Sequence, residues 1–409
     1  MGGDTTFMFI CTIMVFFMTP GLAFFYGGMV RRKNVLNTMM FCLAMIGIGI
    51  FMWVTIGYSL TFGKDHLGVI GDFSHTMMKD VSLKIGENGE APEMLSAMFN
   101  MMFAVISPAI ILGSLAERMK FSKMMIFTVL WSILVYYPLA HMAWGGGLME
   151  MIGSIDFAGG NVIHVSTGVA GLAACILLGK RKGYGGISYH PHNIPLFVLG
   201  ASILWAGWFG FNCGCAGGAN EIAVMALSNT ALSSAVSMIV WMIIEMIVLK
   251  KCTIMGAVTG GIVGLVGITP GAGYVPLWSS IIIGATTAVI CYLAISKMKK
   301  KFGYDDALDA FGCHGVGGIW GGILTGVFAT KSVNDAVPNE GLLYGEFNLF
   351  IAQIGAILIS IALTVAVTVI LMLILRKCGG VRVTDMDEAQ GLDQTSHGER
   401  AYPAFNGLD

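Results

Sequence analysis

Asp156-Phe157-Ala158-Gly159-Gly160-Asn161-Val162-Ile163-His164 and, in the second half of the chain, Asp309-Ala310-Phe311-Gly312-Cys313-His314-Gly315 are the two stretches that decide the fold. Each places an aspartate at the entry of a long charge-free run and a histidine several residues inside it. The first opens the fifth span and the second opens the tenth, once the double-length run 252–296 is counted as two. They therefore read as the fifth helices of two five-helix halves. Because five is odd, the second half must enter the membrane inverted relative to the first. That is the architecture of transporters whose sites lie near the midplane, at the interface between the repeats.

The runs themselves support this. Segments free of Asp, Glu, Lys and Arg cover 5–30, 34–63, 94–116, 124–149, 157–179, 183–220, 222–244, 252–296, 310–330 and 347–375. A membrane-crossing helix needs about 20 apolar residues. The run 252–296 has double length, and Thr269-Pro270-Gly271-Ala272-Gly273 supplies helix-breaking turn chemistry near its middle. The expectation is an all-α polytopic membrane protein of eleven transmembrane helices. Spans 1–5 and 6–10 form two inverted five-helix repeats (about 5–179 and 194–330), and helix 11 (about 347–375) is extra. The transmembrane domain covers 1–377, and 378–409 is a polar tail too short for an independent domain.

Composition points the same way. Hydrophobic residues make up 56% of the 409 and charged residues only 11%, against about 25% in soluble domains. With a net charge of −1 there is no electrostatic case for nucleic acid. Of the 23 basic residues, 19 fall in alternate loops or the tail: Arg31 to Lys33, Arg118 to Lys123, Lys180 to Lys182, Lys250 and Lys251, Lys297 to Lys301, and Arg376 onward. Only Lys64, Lys79, Lys84 and Lys331 lie on the other side. The positive-inside rule then puts the N-terminus outside and the C-terminus in the cytoplasm of a cell membrane. The N-terminal run lacks the basic segment of a cleavable leader. The nine cysteines show no disulfide spacing, and Cys213-x-Cys215 has no second ligand pair to make a metal site.

Ionisable residues within spans suggest function by default. Here they are Asp156, His164, Asp309, His314 and Glu245, the last five residues before Lys250 and within reach of the cytoplasmic interface. Taken singly, each histidine reads as satisfied by a backbone carbonyl. At equivalent positions of an inverted repeat, the two read as a shared pore-lining pair. Asp156 reads as an N-cap and also as a fixed anion beneath a cation-binding mouth. Asp309 reads as a cap with a structural partner. Phe99, Phe103, Trp144, Trp208, Phe209 and Phe211 read from periodicity alone as core or interface aromatics. No nucleophile–base–orienter set appears, so an enzyme is the weakest reading.

Phe99-Asn100-Met101-Met102-Phe103-Ala104, Leu115-Ala116-Glu117-Arg118, Ala143-Trp144-Gly145-Gly146-Gly147, the Asp156–His164 stretch, Gly207-Trp208-Phe209-Gly210-Phe211-Asn212 and Asp309-x-Phe311-x-x-His314-Gly315 occur in that order over the chain. Together they resemble the signatures of the Amt/MEP/Rh ammonium transporter family. The tail, with Gly391-Leu392-Asp393 and Ser396-His397-Gly398-Glu399, resembles that of bacterial members. The resemblance implies a homotrimer in the bacterial cytoplasmic membrane with one pore per subunit and no cofactor. It implies an external ammonium-recruiting site from Phe103, Trp144 and a small hydroxyl residue, supported by Asp156, with Trp208 lining the mouth. Below it come a gate of Phe103 and Phe211 and a twin-His pair, His164 and His314, in a hydrophobic pore. Ammonium would lose its proton at the mouth and cross as ammonia, with electrogenic passage of the proton. The tail resembles those bound by PII signalling proteins. One position departs: the family's serine is Cys215, and a thiol is the weaker hydrogen-bonding group. The alternatives are an ammonium sensor acting through a partner and an Rh-like gas channel. The retained Trp144 and the bacterial-type tail argue against the latter.

Overall fold

The computed structural model describes residues 2–87, 89–186 and 189–402. Among them, ten helical segments are long and apolar enough to cross a bilayer. These are α1 Gly3–Met29, α2 Arg32–Phe62, α3 Glu93–Leu115, α4 Phe121–Met151, α5 Gly160–Leu178, α6 Ile194–Gly214, α7 Glu221–Leu249, α9 Leu277–Phe302, α10 Phe311–Phe328 and α11 Asn348–Lys377. Between α7 and α9 lies the shorter α8, Ile254–Ile268. The double-length run divides at residues 269–275, where Gly271 N–H bonds the Ile268 carbonyl and Tyr274 N–H bonds the Gly271 carbonyl. At 15 residues, α8 extends about 22 Å, less than the hydrocarbon thickness of about 30 Å.

Helix starts follow from local capping chemistry. Asn193, Asn220 and Thr253 each accept a backbone N–H three residues on, at 2.9 Å, at the heads of α6, α7 and α8. The two histidine-bearing segments begin differently. Gly160–Val165 and Phe311–Gly315 are π-helical turns, a geometry frequent at functional sites.

The two halves meet where side chains are smallest. α5 and α10 cross at Gly168 and Gly315, where a Cβ on Gly168 would overlap the Gly315 backbone. α1 and α6 cross at Gly28, whose added Cβ would lie 2.5 Å from Phe197 N, and at Gly200, whose added Cβ would strike Phe25 N. Such contacts let backbones approach in the absence of a hydrophobic driving force. Gly168→Ala is expected to force α5 and α10 apart and cost about 1–3 kcal/mol. A lowered thermal midpoint in detergent checks this, and an unchanged midpoint rejects it.

One end of the bundle is tied by buried charge. Glu117 accepts from Arg31 Nε and Arg181 Nη1, both at 3.0 Å, and Asp305 holds Arg181 Nη2 at 2.8 Å. Burial alone would raise the Glu117 carboxyl, but the Arg181 and Arg31 guanidinium groups outweigh it and hold the pKa below the usual value. The tail packs on this network. Residues Asp385–Gln390 and Leu392–His397 form the short helices α12 and α13. Glu388 accepts from Arg382 Nη2 and Lys182 N, both at 2.7 Å, and Asp393 accepts from Asn37 N at 2.8 Å.

Candidate functional site

Asp156 precedes α5 and is 7% exposed. Its Oδ1 accepts the N–H groups of Gly159 and Gly160 at 2.9 and 2.6 Å, and its Oδ2 accepts those of Asn161 and Val162 at 2.8 and 3.3 Å. One carboxylate thus satisfies the four orphan donors of a helix start. Gly159 permits this because its φ of 102° lies in the left-handed region. Both carboxylate oxygens are committed to the helix. Asp156 reaches the aromatic site through its backbone: its carbonyl accepts the Trp144 indole N–H at 2.8 Å.

Trp144, Phe103 and Cys215 line one open pocket of about 210 Å³, together with Phe62, Ser96 and Asn100. The Phe103 and Trp144 rings are 6.4 Å apart at 50°. The Cys215 thiol donates to the Phe211 carbonyl at 3.3 Å, so its hydrogen is spent on its own helix. Ser96 is a hydroxyl in this pocket that no sequence motif singled out.

The Phe103 ring, which lines this pocket, lies 4.2 Å from the Phe211 ring. Beneath them is a narrow void of about 20 Å³ lined by Phe211, Trp208, Ile110, Leu22, His164 and His314. That is room for about one water. His164 Nδ1 and His314 Nδ1 are 3.2 Å apart, so one donates to the other. The rings are nearly parallel, at 29°. Either choice of donor leaves one ring with Nε2–H and the other with a bare Nε2. His164 Nε2 is buried without a partner.

Trp208 departs from the expected place. It lies in the inner void rather than at the mouth, stacked on His164 at 5.3 Å, with its indole N–H on Thr269 Oγ1 at 2.9 Å. Trp208 precedes Phe211 by three residues on α6, which at 1.5 Å per residue sets it about 4.5 Å further along the helix axis.

A third void of about 250 Å³ begins at His314 and is lined by Tyr26, Thr253, Glu245, Ser296 and Asp309. Glu245 accepts from Thr253 N at 2.7 Å at the head of α8. The counterpart of Asp156 is Asp306 rather than Asp309. Asp306 accepts the Ala310 and Phe311 N–H groups at 3.2 and 2.8 Å, and it stands eight residues before His314, as Asp156 does before His164. Asp309 pairs with Lys299 Nζ at 2.7 Å. Among the described residues, no three His, Cys, Asp or Glu side chains are grouped to hold a metal ion.

The sequence profile described as "Ammonium Transporter Family" matches residues 6–402. An ammonium transporter of Bacillus subtilis is 48% identical over 401 residues, covering 98% of each chain. The crystal structure of Saccharomyces cerevisiae Mep2 superposes with a TM-score of 0.87 at 34% identity, over 94% of this chain and 90% of that one. A solved structure described as a sensor Amt protein superposes with the same TM-score of 0.87 at 26% identity, over 97% and 98%.

Proposed function

This chain belongs to the ammonium transporter family and is a multi-pass membrane protein; from that premise we propose that it recruits ammonium at the Phe103–Trp144–Cys215 pocket, removes a proton there, and passes ammonia along the His164–His314 pair. The observation that carries this reading is the succession of three voids. An aromatic pocket, a narrow constriction and an inner void that Glu245 and Asp309 also line follow one another, and His314, bonded to His164, lines the last two.

Selectivity follows from the chemistry of the cation. Aromatic faces attract it by about 0.5–2 kcal/mol each, depending on desolvation. Holding charge at the bilayer centre costs several kcal/mol by most scales, roughly 2.5 or more. Ammonium avoids that cost by giving up a proton, whereas potassium has none to give. The histidines, sharing one hydrogen and presenting an unpartnered Nε2, supply a separate route for the proton, and transport is then electrogenic. Ammonium-driven current from the purified protein in liposomes on a supported membrane tests this. Ammonia uptake with no current would support the gas-channel alternative instead.

The subunit works as a homotrimer with one pore each, oriented with basic loops and tail in the cytoplasm of a bacterial cell. The docked tail and basic loops make that face a platform for a PII signalling protein that closes the pore exits. A sensor role through such a partner is the second reading, favoured by the likeness to a sensor structure. Co-purification with the cognate PII protein across nucleotide conditions checks it, and no complex under any of them rejects it.

The thiol predicts a weaker mouth. A net hydrogen bond to a charged group contributes about 1.5–3 kcal/mol, and sulfur recovers only part of it. Cys215→Ser is therefore expected to lower the half-saturation for ammonium severalfold near neutral pH, with selectivity retained. Unchanged affinity would show that this side chain does not meet the cation.

A further inference from the structure

His141 lies one turn before Trp144 and is fully buried. Its Nδ1 is 2.8 Å from the Thr61 carbonyl oxygen and its Nε2 is 2.9 Å from Asp65 Oδ1. Both partners are acceptors. A carbonyl oxygen has no hydrogen to give, and an ionised carboxylate has none either. No neutral tautomer of imidazole can donate to both. The ring thus bridges the Thr61 carbonyl and the Asp65 carboxyl.

The clamp joins two of the segments that line the outer pocket. Thr61 is adjacent to Phe62, and Phe62 and Trp144 both line that pocket. The His141 carbonyl receives the N–H groups of Gly145 and Gly147 at 2.9 and 3.2 Å, ending the helical turn that carries Trp144. Asp65 belongs to a short hairpin of Asp65–His66 and Ile70–Gly71, and it also accepts Gly68 N–H at 2.9 Å. Gly68 O in turn accepts Leu148 N–H at 2.7 Å, beyond Trp144. Gly145 leaves room for the ring, since a Cβ there would lie 2.6 Å from His141 Nδ1.

We propose that His141 is a positioning residue for ammonium recruitment: through its bonds to Thr61 and Asp65 it ties the Phe62 segment to the Trp144 segment, and the pocket loosens when either bond is lost. This rests on the recruitment reading above. The other charged groups near the clamp have their own partners or face solvent. Asp72 accepts from Lys64 N and Ser74, Glu150 accepts Gly146 N–H, and Asp156 caps α5. Lys64 and His66 are exposed. Asp65 is the carboxylate on the ring.

The test is the half-saturation for ammonium-driven current at one pH near neutral. In His141→Gln the half-saturation is expected to rise by roughly tenfold, the scale of one lost charge-assisted hydrogen bond, while the maximal current stays within about twofold. Asp65→Asn is the gentler variant: it keeps an acceptor for the ring but removes the carboxylate, so its half-saturation should fall between those of the wild type and His141→Gln. A wild-type half-saturation in both variants overturns the proposal. A loss of maximal current in His141→Gln together with an unshifted half-saturation in Asp65→Asn overturns it too, since the ring would then be merely structural. Trp144→Leu is measured alongside. Unchanged half-saturation there rejects the recruitment reading itself, a result separate from failure of the clamp.

Discussion

Replacing His164 and His314 together with leucine is expected to reduce ammonium-driven current to background, a loss of at least about a hundredfold, the lower end of what positioned proton transfer contributes. The structure explains why both must go for a clean result. The two Nδ1 atoms share one hydrogen across 3.2 Å, and each ring is held by independent packing: His164 by Trp208 and its π-helical turn, His314 by the turn Phe311–Gly315. A single substitution leaves one polar ring in the void. The double variant leaves an apolar constriction that no ion or proton relay can use. An unchanged oligomeric state and thermal midpoint serve as controls for folding. If current and ammonium selectivity survived in a well-folded double variant, the proton would have to take a route that avoids this pair.

Asp156→Ala is expected to abolish transport and to destabilise the protein markedly. The cap alone contributes about 0.5–2 kcal/mol, and each buried donor left unsatisfied costs about 1–3 kcal/mol. Four N–H groups depend on this one carboxylate. The start of α5 carries His164, and the Asp156 carbonyl holds the Trp144 indole, so both ends of the pathway shift when the cap is lost. Asp156→Asn separates charge from geometry. Its single carbonyl oxygen can keep two of the four bonds without a formal charge. Transport in the Asn variant is expected to fall between wild type and Ala, because an anion at a helix N-terminus also offsets the helix dipole. Full activity there would show that the charge is dispensable and that capping geometry is the whole role.

Much of this architecture was legible in the residues because its causes are local. Charge-free runs mark spans since lipid cannot solvate a charge, and the position of Thr269-Pro270-Gly271 marks a turn because proline cannot continue a helix. The placement of His164 and His314 one turn inside their spans, and the presence of Phe103, Trp144 and Cys215, could likewise be read residue by residue. Pairings between distant elements could not. Asp309 is nearer the Phe311 motif in sequence, yet its side chain goes to Lys299, and Asp306 caps the helix; the equal eight-residue spacing to each histidine was the available signal. The depth of Trp208, the hydroxyl of Ser96 in the outer pocket and the two acceptors around His141 depend on how α3, α4, α6 and the hairpin pack against one another. Hydropathy and capping are properties of a segment, so the sequence by itself determined which segments span the membrane and where they turn. Which side chains meet across segments is decided by crossings such as Gly168 on Gly315, where the absence of a Cβ sets the distance between helices, and only the tertiary structure decided that.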